Sequence, residues 1–271
     1  MQPQWEVADV VRPADLSKRS LTVHQQKTLR AIMQCRTAAP GGHVDACDQC
    51  GTISISYNSC RNRHCPKCQG HQREEWIDKR QADLLACTCY HVVFTLPQEL
   101  NPLALHQPKP IYDALFNSAW ATIHQFGKTE GLQVGMIAVL HTWGQNLSLH
   151  PHLHCIVPGG GTDNNGKWQK QLRSDKYLFP VKALSKVFRA KYVAALRYAT
   201  IDDKPLIESL FKKDWIVYAK CPFGGPKQVI EYLGRYTHKV AISNHRIMEV
   251  REAEVSFRYK DYRTGVAPPG K

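Results

Sequence analysis

Apolar residues recur along this chain in two rhythms. Period-two runs mark strands at Tyr90–Leu96 (YHVVFTL), which Pro97 stops, and at Val134–Trp143, His152–Val157 and Trp215–Ala219. Pro158-Gly-Gly-Gly161 closes the third of these, and Asp163-Asn-Asn-Gly166 is a turn signal. Helical spacing covers Leu16–Met33, Gln72–Ala86, Ile111–Phe126 with its end at Gly127, Ala183–Ala199 and Pro226–His238. Arg246–Arg251 and Glu254–Tyr259 alternate like a closing hairpin. Residues 35–70 follow neither rhythm, so something other than a hydrophobic core must hold them. No internal repeat is visible. The expected fold is α+β: a small metal-binding domain over residues 1–75, then a mixed domain of interleaved strands and helices over residues 85–271.

Composition sharpens this picture. With 271 residues, 43% hydrophobic and 22% charged, the chain is neither disordered, collagenous nor a coiled coil. No apolar run of ~18 residues predicts a membrane span. The start MQPQWEVADVVRP lacks the basic-then-apolar pattern of a secretory signal. The net charge of +13 calls for a polyanion partner. Nucleic acid is favoured over a membrane surface, because no amphipathic anchor or lipidation motif is present. Lys167–Lys220 holds thirteen Lys and Arg against five Asp and Glu, a candidate DNA track.

Six of the ten cysteines lie between Cys35 and Cys68. In a reducing compartment such a cluster binds metal more often than it forms disulfides. Cys47-Asp-Gln-Cys50-Gly and Cys65-Pro-Lys-Cys68 are two C-x2-C knuckles separated by fourteen residues. Their four thiolates make a structural Zn²⁺ site of the ribbon type, closed to water. Cys35, His43, Cys60 and His64 are four further donors, enough for a second zinc; the plain alternative is two buried thiols and two surface histidines. Arg61, Arg63 and Lys67 beside the knuckles are candidate DNA contacts. Cys87, Cys89, Cys155 and Cys221 read as packing.

The second constellation is His141-Thr-Trp-Gly-Gln145, then His150-Pro-His152-Leu-His154. On a strand His152 and His154 project from one face while Leu153 turns to the core. Two imidazoles form half a metal site. Gln145, seven residues before His152, can add an amide oxygen, with His141 and His150 as rivals. Such a set leaves positions open and suits Mg²⁺ or Mn²⁺ in contact with phosphate. A His-x-His pair is also a common structural feature.

Tyr232-Leu-Gly-Arg235-Tyr236-Thr-His-Lys239 lies on the last predicted helix. Tyr232 and Tyr236 are neighbours on one helix face, as are Arg235 and Lys239 beside them. Tyrosines at this spacing usually pack. A tyrosine, with a pKa near 10, becomes a nucleophile only when activated. Beside a metal that polarises a phosphodiester it can attack phosphorus and leave a covalent phosphotyrosine.

These motifs together resemble one family. HPHLH followed by YLGRYTHK is similar to the HUH (His-hydrophobic-His) single-strand DNA nucleases, and CRNRHCPKCQ ahead of them narrows the resemblance to the rolling-circle transposases of the insertion sequence ninety-one family. It runs from about Leu21 to Arg263. It implies a central antiparallel sheet flanked by helices behind a zinc-binding domain. It implies His152 and His154 as metal ligands, Tyr232 and Tyr236 as nucleophiles, Cys47, Cys50, Cys65 and Cys68 on zinc, and, less directly, Gln145 as third ligand. The implied activity is nicking and strand transfer of single-stranded DNA at transposon ends and target, through a 5′-phosphotyrosine, in the bacterial cytoplasm at the nucleoid. Family members continue well past VSFRYKDYR, so a C-terminally truncated copy is expected. The competing readings are a replication initiator using the same motifs, a non-catalytic zinc DNA-binding protein, and a zinc hydrolase.

Overall fold

The structure, a computed structural model, describes residues 3–81, 87–170, 178–199, 201, 203–220, 226–237, 240–252 and 254–259. In chain order it begins with helices α1 (Val7–Val11) and α2 (Val23–Gln34), strands β1 (Gly42–Ala46) and β2 (Ile53–Tyr57), and helix α3 (Gln69–Gln81). Strand β3 (Cys89–Thr95), helices α4 (Asn101–His106) and α5 (Pro108–Thr129), and strands β4 (Ile137–Trp143), β5 (Leu149–Pro158), β6 (Gly160–Thr162) and β7 (Trp168–Lys170) follow. Next come helices α6 (Val181–Tyr198) and α7 (Lys204–Phe211), strand β8 (Val217–Lys220), helix α8 (Pro226–Thr237) and strands β9 (Ile247–Val250) and β10 (Val255–Phe257). There are two compact units. One comprises Met1–Trp76, Gln145–Leu147 and His238–Lys271; the other comprises Ile77–Gly144 and Ser148–Thr237.

The second unit is built on a four-stranded antiparallel sheet in the order β4-β5-β3-β8. Its register sorts side chains cleanly. Val92 faces Cys155 and Phe94 faces Leu153 across β3 and β5, while Leu140 faces Leu153 across β4 and β5. These residues, with Tyr90 and Val157, form one apolar face. Helices α5 and α6 cover that face with Ile111, Leu115, Ile123, Leu184, Phe188 and Tyr192. Phe94 and Phe188 meet at 4.8 Å between ring centroids, and the buried Tyr192 hydroxyl donates to the Ile111 carbonyl at 3.1 Å. The opposite face carries His91, Val93, His141, His152 and His154, and α8 packs against β3 and β4 there. The expected class, α+β with a central antiparallel sheet flanked by helices, is what the chain adopts.

The first unit is held differently. Its buried cluster is small: Ala8, Ile32, Cys35, Cys65 and Cys68. Strands β1 and β2 pair as an antiparallel hairpin that is exposed along nearly its whole length. The hairpin β9–β10 pairs as the alternation predicts, with an irregularity at Ser256/Phe257. Val7 N–H donates to Asn244 Oδ1 at 3.1 Å, tying α1 to the turn before β9.

Several boundaries move for identifiable reasons. The helix expected over Leu16–Met33 is broken, because Thr22 and Gln25 form a reciprocal capping box that starts α2 at Val23. The helix expected to stop at Gly127 runs to Thr129. Gly127 is buried where a Cβ would lie 2.5 Å from a Val134 methyl, so it permits close packing rather than ending the helix. Gly131, with φ 73°, ends it instead: Leu132 N–H donates to Gly127 O and Gly131 N–H to Lys128 O. Strand β5 begins at Leu149 and contains Pro151. The β4–β5 irregularity between His141 and Trp143 falls opposite that proline, which has no N–H to donate to the ladder. Part of the helix expected over Gln72–Ala86, and Cys221, lie outside the described residues. Among the described residues no helix is long and apolar enough to cross a membrane.

Phe188→Ala should cost about 3–5 kcal/mol, the usual loss for a buried aromatic that leaves a cavity. Tyr198→Ala, at the 93% exposed end of α6, should stay within about 0.5 kcal/mol of the parent. Urea unfolding followed by tryptophan fluorescence checks both.

Candidate metal centres and the tyrosine helix

Four cysteines converge in the first unit, but they are not the four that the knuckle spacing selects. Cys35, Cys60, Cys65 and Cys68 bring their sulfurs within 4.8 Å of one another. Cys35 Sγ lies 3.5 Å and Cys60 Sγ 3.7 Å from Cys68 Sγ. A zinc–sulfur bond of about 2.3 Å gives a tetrahedron an edge of about 3.8 Å, so the cluster fits zinc. Burial pushes the Cys60 thiol up to about 11 and the Cys65 thiol higher still. Without a cation these groups stay protonated; a bound Zn²⁺ deprotonates them outright.

The hairpin explains the pairing. Its register runs from Gly42↔Tyr57 at the base to Ala46↔Ile53 at the far end. Cys35 and Cys60 flank the base, where Arg36 N–H donates to Asn58 O. Cys47 and Cys50 sit on the turn at the other end, about 13 Å away along four residues of strand. Both are exposed. There the Cys50 thiol is lowered by its contact with the Thr52 hydroxyl at 3.0 Å. The structure thus gathers Cys35, Cys60, Cys65 and Cys68 rather than the expected set Cys47, Cys50, Cys65 and Cys68. The expected second site also dissolves, since it loses Cys35 and Cys60 to this cluster. Its remaining members stand apart: His43 is exposed, 3.6 Å from Asp45, and His64 is exposed with its ring 6.5 Å from His24.

Of the expected DNA contacts, Arg61 and Arg63 are exposed. Lys67 is engaged internally, with an ion pair to Glu6 at 2.6 Å and a hydrogen bond to the Cys35 carbonyl at 3.3 Å. The side chain of Arg235, and Lys239, lie outside the described residues.

The second centre lies on the polar face of the sheet. Cross-strand register sets His141 directly opposite His152, and the alternation of β5 adds His154. One ring nitrogen from each of His141, His152 and His154 falls within 4.8 Å of the others, and His141 Nδ1 is 3.1 Å from His152 Nε2. Two nitrogens about 3 Å apart form one edge of a coordination polyhedron with metal–nitrogen bonds of about 2.1 Å. These three histidines fit a divalent cation. Of the candidates for a third donor, His141 is the one gathered with His152 and His154. Gln145, the leading expectation, belongs to the first unit, where its backbone carbonyl accepts from Arg246.

Sequence reasoning missed His91. It stands on β3 with its ring stacked on His154, centroids 5.2 Å apart and planes 7° from parallel. Burial lowers His91 to about 4, and burial likewise lowers His152 to about 4. Both are neutral imidazoles near pH 7, the form that binds metal. The only signal in the sequence was a histidine among core residues, on the face that Tyr90, Val92 and Phe94 do not use.

Helix α8 lays Tyr232 over this cluster. Its ring centroid lies 5.3 Å from His91 and 6.4 Å from His154, both edge-on, and the side chain is 38% exposed. Tyr236 follows one turn later on α8; its side chain lies outside the described residues.

Two families match the chain. One, described as "Transposase zinc-binding domain", covers residues 9–96; the other, described as "Putative transposase", covers residues 135–268. A protein of Sinorhizobium fredii named "Putative transposase y4qJ" is 43% identical over 96% of this chain and 71% of its own length. The "Transposase for insertion sequence element IS801" of Pseudomonas savastanoi pv. phaseolicola is 29% identical over 88% of this chain and 61% of its own. No solved structure matches.

Two outcomes are expected. Cys35→Ser or Cys60→Ser should strip one zinc per chain and lower the melting temperature, while Cys47→Ser/Cys50→Ser should keep that zinc; metal analysis of the purified variants decides. The second concerns pH. His91 and His152 titrate near 4 when folded and near 6.5 when unfolded, so the unfolded chain takes up protons first. Their contribution to stability is whole above about pH 6.5 and is lost as pH falls toward 4. In EDTA the thermal midpoint should fall over that window, and less steeply in His91→Gln/His152→Gln.

Proposed function

The chain belongs to the insertion sequence ninety-one family of transposases, and on that premise we propose that it nicks and rejoins single-stranded DNA through a covalent tyrosine intermediate. The observation that carries this reading is the approach of Tyr232 to the group His141, His152 and His154. Those three imidazoles would hold Mg²⁺ or Mn²⁺, which supplies a Lewis acid for a phosphodiester oxygen.

The chain's own residues do the rest. Tyr232 Oη attacks phosphorus; the Oη–P bond forms as the bond from phosphorus to the 3′ oxygen breaks. The phenol gives up its proton, and the departing oxygen takes one to become a 3′-hydroxyl. The 5′-phosphate stays on the tyrosine. That ester keeps the energy of the broken linkage, so a new 3′-hydroxyl can reverse the step on a different strand. Tyr236, one turn along α8, is the second nucleophile, able to cut while Tyr232 is loaded. The side chain of Tyr232 is partly exposed, which leaves the reacting oxygen within reach of a flexible single strand. Arg61, Arg63 and the basic stretch Lys167–Lys220 would supply phosphate contacts, with binding that weakens steeply as salt rises. Zinc on Cys35, Cys60, Cys65 and Cys68 is structural, since four thiolates leave no position for substrate.

The test is a denaturing gel for protein–DNA adducts, with a labelled single-stranded oligonucleotide pool of the element's ends and Mn²⁺. An adduct should form with the parent chain. It should vanish in EDTA, in His152→Ala and in Tyr232→Phe/Tyr236→Phe. Absence of any adduct from zinc-loaded protein that binds the same DNA would overturn the reading. Cleavage that survives loss of both tyrosines would replace it with a metal hydrolase.

A further inference from the structure

A metal-bound histidine coordinates through one ring nitrogen, and the hydrogen bond at the other decides which one. For His152 the question is settled by its partner. His152 Nδ1 lies 2.6 Å from the His150 carbonyl, which can only accept. The proton therefore sits on Nδ1, and the bare nitrogen is Nε2, the atom 3.1 Å from His141 Nδ1.

His154 has a different partner. Its Nδ1 lies 2.9 Å from His91 Nε2, within a near-parallel ring stack. The register brings the two rings within reach of each other. His154 is opposite Val93 and Ile156 is opposite His91, so His91 and His154 are diagonal neighbours on one face of adjacent strands. An imidazole can donate or accept, unlike a carbonyl. If His154 turns Nε2 to a cation, its proton must lie on Nδ1, and His91 Nε2 must accept it. His91 then carries its own proton on Nδ1. The same ring meets Tyr232 edge-on at 5.3 Å, so His91 is wedged between a ligand and the nucleophile.

We propose that His91 is a positioning residue of the metal centre: it accepts the Nδ1 proton of His154, fixes that ring's tautomer and plane, and so presents Nε2 to the divalent ion. This rests on the reading that His141, His152 and His154 hold the metal. It assigns His91 no contact with metal or DNA.

The experiment measures Mn²⁺ affinity of the full zinc-loaded chain, by the electron paramagnetic resonance signal of free Mn²⁺, without DNA. His91→Phe keeps a flat ring but cannot accept; it should weaken Mn²⁺ binding about 10–100-fold, the usual cost of losing such a partner. His91→Gln restores an acceptor and should recover most of the lost affinity. If His91→Phe does not fold, as judged by the melting of its zinc-loaded form without Mn²⁺, His91→Leu takes its place. Parent-like Mn²⁺ affinity in the non-accepting variant overturns the inference, even if cleavage falls. So does a His91→Gln variant as weak as His91→Phe, which would make the ring a spacer. His152→Ala separates the two levels. If it binds Mn²⁺ like the parent, the metal is elsewhere and the functional reading falls with the inference. If it loses Mn²⁺ while His91→Phe keeps it, only the role of His91 falls.

Discussion

Strand β5 has to satisfy two faces at once, and the chemistry of the second unit follows from that demand. Leu153, Cys155 and Val157 are fully buried against α5 and α6. His152, His154 and Ile156 necessarily point the other way. A slip of one residue would drive both imidazoles among Phe94, Leu115 and Phe188 and turn Leu153 out. The apolar core therefore acts as the register lock for the histidines. Because β5 is an inner strand, both of its neighbours contribute: β4 supplies His141 and β3 supplies His91. An edge strand could have offered only one.

The same logic, applied to the hairpin β1–β2, decides the cysteine cluster. A small unit with few buried apolar side chains needs another source of cohesion, and four thiolates on zinc would supply it. Which four depends on what lies between them. The C-x2-C spacing makes Cys47 with Cys50 and Cys65 with Cys68 look like natural partners. Yet a paired hairpin keeps its turn away from its base. Cys35 and Cys60, which border the hairpin, are brought beside Cys65 and Cys68, while Cys47 and Cys50 are carried off. The alternation Gly-His-Val-Asp-Ala against Ile-Ser-Ile-Ser-Tyr was the signal. It is a weak one, because both faces of that hairpin stay exposed and no core constrains its pattern.

Legibility in the sequence thus tracked how local each feature is. The His-x-His strand, the helix carrying the tyrosines, the four sheet strands and the α+β class all follow from patterns within ten to twenty residues. The third histidine does not: choosing His141 over Gln145 requires the β4–β5 register, including the irregularity that accommodates Pro151. His91 is further still, sixty-three residues from the ring it touches. Nothing near it says that β3 lies beside β5. Helix ends failed for a related reason. Gly127 reads as a stop by its residue type, but its neighbour Val134 in space makes it a site of close packing.

The composition of the histidine group bears on its substrate. Among the described residues, three imidazoles and no carboxylate gather there. Neutral nitrogen ligands leave the double positive charge of a divalent ion undiminished, whereas each carboxylate would cancel one unit of it. Holding that charge in a partly buried site is costly. For a phosphodiester it is an asset, since charge grows on the phosphoryl oxygens as the bonds exchange. Burial that keeps His91 and His152 unprotonated serves the same end, because an imidazolium would repel the cation. A net charge of +13 on the chain would attract a polyanionic strand but repel the ion, so the ion would have to be held by coordination to the neutral imidazoles. On the proposed reading a tyrosine is a fitting nucleophile: it would need no separate water to be positioned, and its ester would preserve the linkage for transfer.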